Sequence, residues 1–368
     1  MLAAVLTLLG TRVDAAPIRV QLLNHQFQTV ISSDGGLIVR APGSGSNDPL
    51  VQPEITTVLS VQPQAAGLLV ADAVQTGPKI LVTPLTLSQL FVNGRPYRGA
   101  LLIGRNGDGT LDVVNQLDLE EYLYGVVAAE MSPDWPDTAL QVQAIASRSY
   151  AVARARFNAY DGFDVKAGEQ DQAYGGAGVE TQSAVNAVDA THGVVIVYND
   201  HIVKAYYSSC DGGYTADGSA LEDPQPYLRA APDPYASESP HLAWKASVPL
   251  ADFTQALRAG VGDVGDVAAI HLGPADESGR LISVTVVGSA GSRTISGTLF
   301  RKLAGTHVVK STRIAAIDID GDVISVTGSG FGHGVGMSQW GAKGMADAGF
   351  GIYQILGFYY RGTMLSKI

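Results

Sequence analysis

The apolar pattern of this chain changes period once, near residue 118, and that change constrains the architecture more than any other feature. Before it, short aliphatic runs alternate with turn residues. Segments 18–23, 29–31 and 37–39 are strand-like, and Asp34-Gly35-Gly36 between the last two is a hairpin signal. Asn106-Gly107-Asp108-Gly109 sets up a second hairpin between 101–103 and 111–114, and the Pro/Gly/Ser-rich stretch 42–49 reads as a loop. From residue 118 the pattern is helical. Asp118 and Glu121 fit a capping box ahead of the run Tyr122-Leu123-Tyr124-Gly125-Val126-Val127-Ala128-Ala129. That helix should end near Glu130, because Pro133 and Pro136 cannot sit inside it. A second, alanine-rich helix should start with Pro136 at its first position and Asp137 in its first turn, running to about Arg156.

Further on, a helix over 181–192 stopped by Gly193 leads into strands 194–198 and 202–207 across Asn199-Asp200. Residues 221–240 read as a long proline-rich loop. A smaller α+β segment follows, with helices at 251–258 and 299–303 and strands at 268–272 and 281–287. A strand at 323–326, a glycine run and helices around 338–348 and 353–359 close the chain. No fixed-period repeat is visible. The expectation is an α+β fold: a β-rich part over 17–117, a mixed core over 118–243 completed by 323–368, and a small α+β insertion over 244–322. A groove between these parts is expected to hold the site.

Ahead of all this, residues 1–16 resemble a signal peptide. The first ten are nearly all apolar, too short for a bilayer span of ~20 residues, and Ala15-Ala16 is a plausible cleavage site. Export is therefore expected, as is a mature protein with no integral membrane span. The 46% hydrophobic and 16% charged composition excludes general disorder. A net charge of −11 argues against nucleic acid and anionic membranes as partners, and leaves a weakly charged ligand such as a glycan open. The single cysteine, Cys210, excludes an intramolecular disulfide and a closed cysteine-rich zinc module.

Glu130 is the first candidate for chemistry. A helix C-terminus and apolar neighbours both disfavour a charged carboxylate, as a general acid requires; the alternative is a solvated glutamate ending a helix. Gln143 and Arg148, five residues apart on the second helix, should address different neighbours. Arg148 either holds a sugar carboxylate, orients Glu130, or forms an internal salt bridge. The run Gly328-Ser329-Gly330-Phe331-Gly332-His333-Gly334-Val335-Gly336-Met337-Ser338-Gln339-Trp340-Gly341 is neither a P-loop nor a dinucleotide fingerprint, so nucleotide binding is disfavoured. Its alternating glycines permit close backbone approach, with His333 projecting from them as either a functional or a structural histidine. A small-residue patch from Tyr206 to Thr215 holds Ser209 and Cys210, but the chain lacks the G-x-S-x-G elbow of a serine hydrolase.

At these residues the chain resembles the SpoIID/LytB family of bacterial cell-wall proteins. The matching blocks are Leu119-Glu120-Glu121-Tyr122-Leu123, Gly125-Val126-Val127, Glu130-Met131, Trp135-Pro136, Ala139-Leu140, Gln143-Ala144 and Arg148-Ser149-Tyr150-Ala151. They continue through Gln172 and Tyr174, Tyr207-Ser208, Gly212-Gly213 and Thr215, Pro226-Tyr227-Leu228, Gly332 to Gln339, and Tyr359-Tyr360-Arg361-Gly362-Thr363. The resemblance runs from about residue 98 to 363. It implies a lytic transglycosylase of peptidoglycan or a non-catalytic enhancer of a cell-wall amidase. Glu130 would be the catalytic acid, giving a 1,6-anhydro end, and one carboxylate suffices because the substrate supplies its own nucleophile. Substrate contacts would then fall to Gln143, Arg148, Tyr150, Gln172 and Tyr174, and further along to Ser209, Gly212, Gly213, Thr215, His333, Ser338 and Gln339. Expected partners are peptidoglycan glycan strands stripped of peptide, and an amidase. Some relatives carry a Cys/His metal cluster. Here Asp171 precedes Gln172 and no histidine stands beside Cys210, so neither a metal nor another cofactor is expected.

Overall fold

Between residues 18 and 105, Ile31, Val39, Val61, Val82 and Ile103 are fully buried while their sequence neighbours are more exposed, the period-two pattern of half-buried strands. The computed structural model describes residues 17–43, 50, 57–72, 74–157 and 162–368. The signal-like segment 1–16 and most of the 42–49 loop lie outside the described residues. The fold is α+β, with seven α-helices among the described residues. Two compact units divide it: the chain up to Lys204 together with Leu365–Ile368, and Ala205–Met364.

In the first unit the strands form two six-stranded sheets. One runs Val165–Lys166, Ile18–Gln26, Leu111–Leu117, Ala100–Arg105, Lys79–Pro84, Leu37–Arg40; the other runs Val74–Thr76, Gly67–Val70, Val58–Gln64, Thr29–Ser32, Leu90–Val92, Arg95–Tyr97. A single apolar cluster draws on both, including Ile31, Leu59 and Leu90 from one and Leu37, Ile80 and Leu101 from the other. Three helices complete the unit: α1 (Leu119–Glu130), α2 (Asp137–Phe157) and α3 (Gln182–Ala190). Asp118 caps α1 as expected, its carboxylate accepting from the N–H groups of Glu120 and Glu121. Glu121 faces Arg98 at 3.8 Å.

The second unit holds α4 (Leu250–Gly260), α5 (Gly297–Ala304), α6 (Gln339–Asp347) and α7 (Ile352–Tyr359). Residues 244–326 share one apolar core around Phe253 and Phe300, whose rings stand 5.4 Å apart. Two three-stranded sheets enclose it: Trp244–Pro249, Val323–Gly328, Ile314–Asp320, and Val267–Leu272, Ser283–Gly288, Gly291–Ser296. No helix among the described residues is long and apolar enough to cross a membrane, a statement about helices alone.

One expectation needs correction, and one strand comes in addition. The strand expected over 202–207 is broken: His201–Ile202 pairs with Val194–Tyr198, whereas Tyr207–Ser208 pairs in parallel with Met337–Ser338. The chain passes from one unit to the other in between. The strand Met364–Lys367, which no local pattern announces, joins the sheet of Val194–Tyr198.

At Gly336 a close backbone approach coincides with a left-handed φ. Its φ is +72°, and a Cβ there would run into the Tyr206 carbonyl oxygen. Gly336→Ala should cost roughly 2–4 kcal/mol of stability in urea unfolding. Gly107→Ala, where a Cβ meets nothing within 4 Å, should change it by less than about 0.5 kcal/mol.

Candidate functional site

The polar cluster of the first unit is built on a buried ion pair between two helices. Arg148 of α2 is fully buried and donates to both oxygens of Glu120 in α1, from Nε at 2.8 Å and Nη2 at 2.5 Å. Its remaining bonds go to the carbonyls of Val194 and Val188, while Glu120 also accepts from Gly193 N–H. Of the readings open for Arg148, the internal salt bridge is the one this geometry matches: its guanidinium has internal partners and no exposed surface. Removing a charge from water is tolerable only with such full pairing.

α1 ends at Glu130, where Met131 turns extended at φ −130°, ψ 149°. Glu130 Oε1 accepts a 2.8 Å hydrogen bond from Ala173 N–H. A tight turn presents that amide: Gly168 N–H donates to the Gln172 carbonyl, and Val165–Lys166, just before it, is fastened in parallel to the first strand. Gln172 is buried; its Oε1 accepts from Tyr122 Oη at 3.1 Å and its Nε2 reaches the Ser147 carbonyl. Gln143 is likewise buried and donates to Ser147 Oγ at 2.9 Å. Tyr150 Oη donates to Asp171, whose carboxylate also accepts from Arg154 and Lys166 N–H. Tyr174 Oη donates to Asn115 and its ring packs 5.0 Å from that of Tyr122. Burial first, then the neighbouring Tyr174, Asp171 and Glu130, hold the Tyr122 phenol protonated well above its ordinary range.

In the second unit the glycine run and the 208–216 patch come together. Cys210 and Phe331 exchange backbone hydrogen bonds, Ala216 N–H donates to the Gly334 carbonyl, and Gly334 N–H donates to Ser208 Oγ. Ser338 caps α6 through Gly341 N–H and also accepts from Asp211 N–H. Ser209 contributes its carbonyl to Trp340 N–H. Thr215 Oγ1 is occupied by the backbone of Arg229 and Ala231, and Gln339 is buried. His333 Nδ1 accepts from Val335 N–H at 3.0 Å. Burial, reinforced by the Arg280 charge, lowers its pKa to about 4, against a backbone hydrogen bond with Tyr207. The imidazole is therefore neutral at physiological pH and pins the glycine turn.

Beneath this loop sit groups that no motif singled out. Arg280 donates to the carbonyls of Asp211 and Tyr214, and Arg313 to those of Gly212 and Ser278, so two guanidiniums hold the turn through Gly212 and Gly213. Asp211 is fully buried beside Asp233, which accepts from Tyr359 Oη at 2.7 Å. Asp211 Oδ2 meets no N–H or O–H donor. Burial, then Asp233, pushes the Asp211 pKa up to about 8. Among the described residues, no three His, Cys, Asp or Glu side chains converge as metal ligands.

These features define a mixed α+β protein with a helix-end glutamate beside a buried polar network in one unit, and a glycine-rich loop held by arginines in the other. A family model described as SpoIID, stage II sporulation protein, matches residues 107–198. The stage II sporulation protein D of Bacillus subtilis is 30% identical over 274 residues, covering 69% of this chain and 76% of that protein. An uncharacterized protein of Brachyspira hyodysenteriae is 33% identical over 274 residues, covering 74% and 73%. The amidase enhancer of Bacillus subtilis is 28% identical over 294 residues, covering 67% of this chain and 40% of its own length. The chain belongs to the SpoIID family.

Two outcomes follow from the buried charges. Arg148→Lys keeps the charge but loses the two-pronged bond, and should cost about 3 kcal/mol in urea unfolding. The double change Arg148→Met with Glu120→Leu should recover most of that loss. For Asp211 the folded pKa lies above the unfolded value of 3.8, so between that value and about 8 the native state holds a proton that the unfolded chain releases. Stability should fall as pH rises through that window and level off above it. Asp211→Asn should flatten the slope in melting curves taken at successive pH values.

Proposed function

We propose that this chain works outside the cytoplasm on the bacterial cell wall, as a lytic transglycosylase that cleaves peptidoglycan glycan strands with Glu130 as its acid. The observation that carries the reading is the Glu130 carboxyl, held through Oε1 by the Ala173 amide at the end of α1. A proton donor must be held in one orientation, and here a turn anchored to the first sheet does the holding. The proton of Glu130 passes to the glycosidic oxygen between MurNAc and GlcNAc as the C1–O bond breaks. The same carboxylate then takes the proton of the MurNAc 6-hydroxyl as O6 bonds to C1. The acid is regenerated and no water is consumed. A standard glycosidase needs a second carboxylate. Asp171, in the same cluster, is tied up by Tyr150, Arg154 and Lys166 and does not serve as one.

One observation favours a second reading. A relative over 67% of this chain carries the name amidase enhancer. In that case the chain binds the wall, leaves it uncut and stimulates a separate amidase.

Incubating the protein with peptide-free glycan strands and identifying the ends by mass spectrometry separates the two. The unmodified chain should release 1,6-anhydro ends, and Glu130→Gln should lower the rate by at least about a hundredfold with an unchanged melting temperature. Undiminished cleavage by the folded variant would overturn the role of Glu130. Absence of anhydro ends, together with faster amidase turnover, would establish the second reading.

A further inference from the structure

Phe331 sits in the glycine run with its backbone held from three sides. Its N–H and C=O bond to Cys210, Gly330 N–H donates to the His241 carbonyl at 2.7 Å, and Gly332 N–H donates to the Lys310 carbonyl at 3.0 Å. Trp244 Nε1 adds a 2.8 Å bond to the Gly330 carbonyl. Gly330 and Gly332 have φ of +82° and +104°, and a Cβ on Gly332 would press on Ser208. The half-buried Phe331 ring is thus fixed in place without its own side chain being needed to fix it. Around it stand two imidazoles, His241 at 5.0 Å edge to face and His307 at 6.5 Å.

The charge beside this ring is positive. Lys310 Nζ lies 3.1 Å from His241 Nδ1. An ammonium only donates, so Nδ1 accepts and the His241 ring is neutral. Burial, then the Lys310 charge, lowers the His241 pKa in agreement. No acidic side chain among the described residues pairs with Lys310, unlike Lys343, which binds both Glu238 and Asp347. In a chain of net charge −11, a half-buried lysine facing only a neutral histidine is a local exception.

We propose that Phe331 and Lys310 form a subsite for a carboxylate-bearing amino sugar, the ring stacking on the sugar face and Nζ pairing with the acid. An aromatic plate supplies apolar area at low conformational cost, and a fixed ammonium beside it selects a sugar that carries an anion. This rests on the glycan reading above and assigns the acid-binding part, once expected of Arg148, to a different residue.

The test uses the full chain carrying Glu130→Gln, so that ligand is not consumed. Its affinity is measured by calorimetry for soluble MurNAc–GlcNAc oligomers with free lactyl carboxylates, and for the same oligomers with that group converted to a neutral methylamide. The acid form should bind about threefold to tenfold more tightly. Lys310→Gln should erase that preference, Lys310→Arg should keep it, and Phe331→Leu should weaken both ligands alike, each with an unchanged melting temperature. Persistence of the preference in folded Lys310→Gln, or no preference in the parent, would overturn the subsite. Release of anhydro ends by the chain with native Glu130 reports on the glycan reading separately, so either idea can fail alone.

Discussion

The largest fully buried side chain among the described residues is an arginine, and the first unit is organised around satisfying it. Arg148 cannot be left unpaired in an apolar interior without a penalty of several kcal/mol. Its two-pronged bond to Glu120 locks α2 to α1, and its bonds to Val188 and Val194 draw in α3 and the strand that follows. Since Glu120 lies near the start of α1 and Glu130 at its end, the pair also sets where Glu130 falls. A salt bridge of this kind adds little net stability compared with a well-packed apolar pair, but it tolerates only one arrangement of its neighbours.

The second unit uses the same logic without an ion pair at its centre. Arg280 and Arg313 direct their N–H groups at backbone carbonyls of the turn from Asp211 to Tyr214. Peptide oxygens that would otherwise lie buried without donors are satisfied in this way. Burial and the neighbouring Asp233 raise the Asp211 pKa, which makes this unit's stability depend on pH.

Local features of the sequence were legible because local physics decides them. The cap Asp118, the long α2 after Pro136, and the hairpin at Asn106-Gly107-Asp108-Gly109 depend on residues within a few positions of one another. Non-local features were not. Glu120 and Arg148 are 28 positions apart and Arg280 reaches Asp211 across 69, so no spacing rule relates them. The strand expected over 202–207 has one continuous pattern, but its two ends find partners in different sheets. Strand Met364–Lys367 lacks strong alternation and is strand only because Val194–Tyr198 offers it an edge.

This division bears on what the family match means. Gln172, Tyr150, Thr215 and Ser338 all commit polar atoms to internal hydrogen bonds, and Arg148 is sealed from solvent. Their agreement with the family pattern therefore speaks for a shared scaffold, since a buried polar residue cannot be exchanged without orphaning its partner. Glu130 is different in kind. It stands in the last turn of α1, which contains no basic residue, where the helix dipole opposes a carboxylate by about 0.3–1 kcal/mol. A fold chosen for stability alone would place an uncharged or basic residue there. A position that is unfavourable for the helix yet held by a backbone amide is the observation on which the proposed acid role of Glu130 rests.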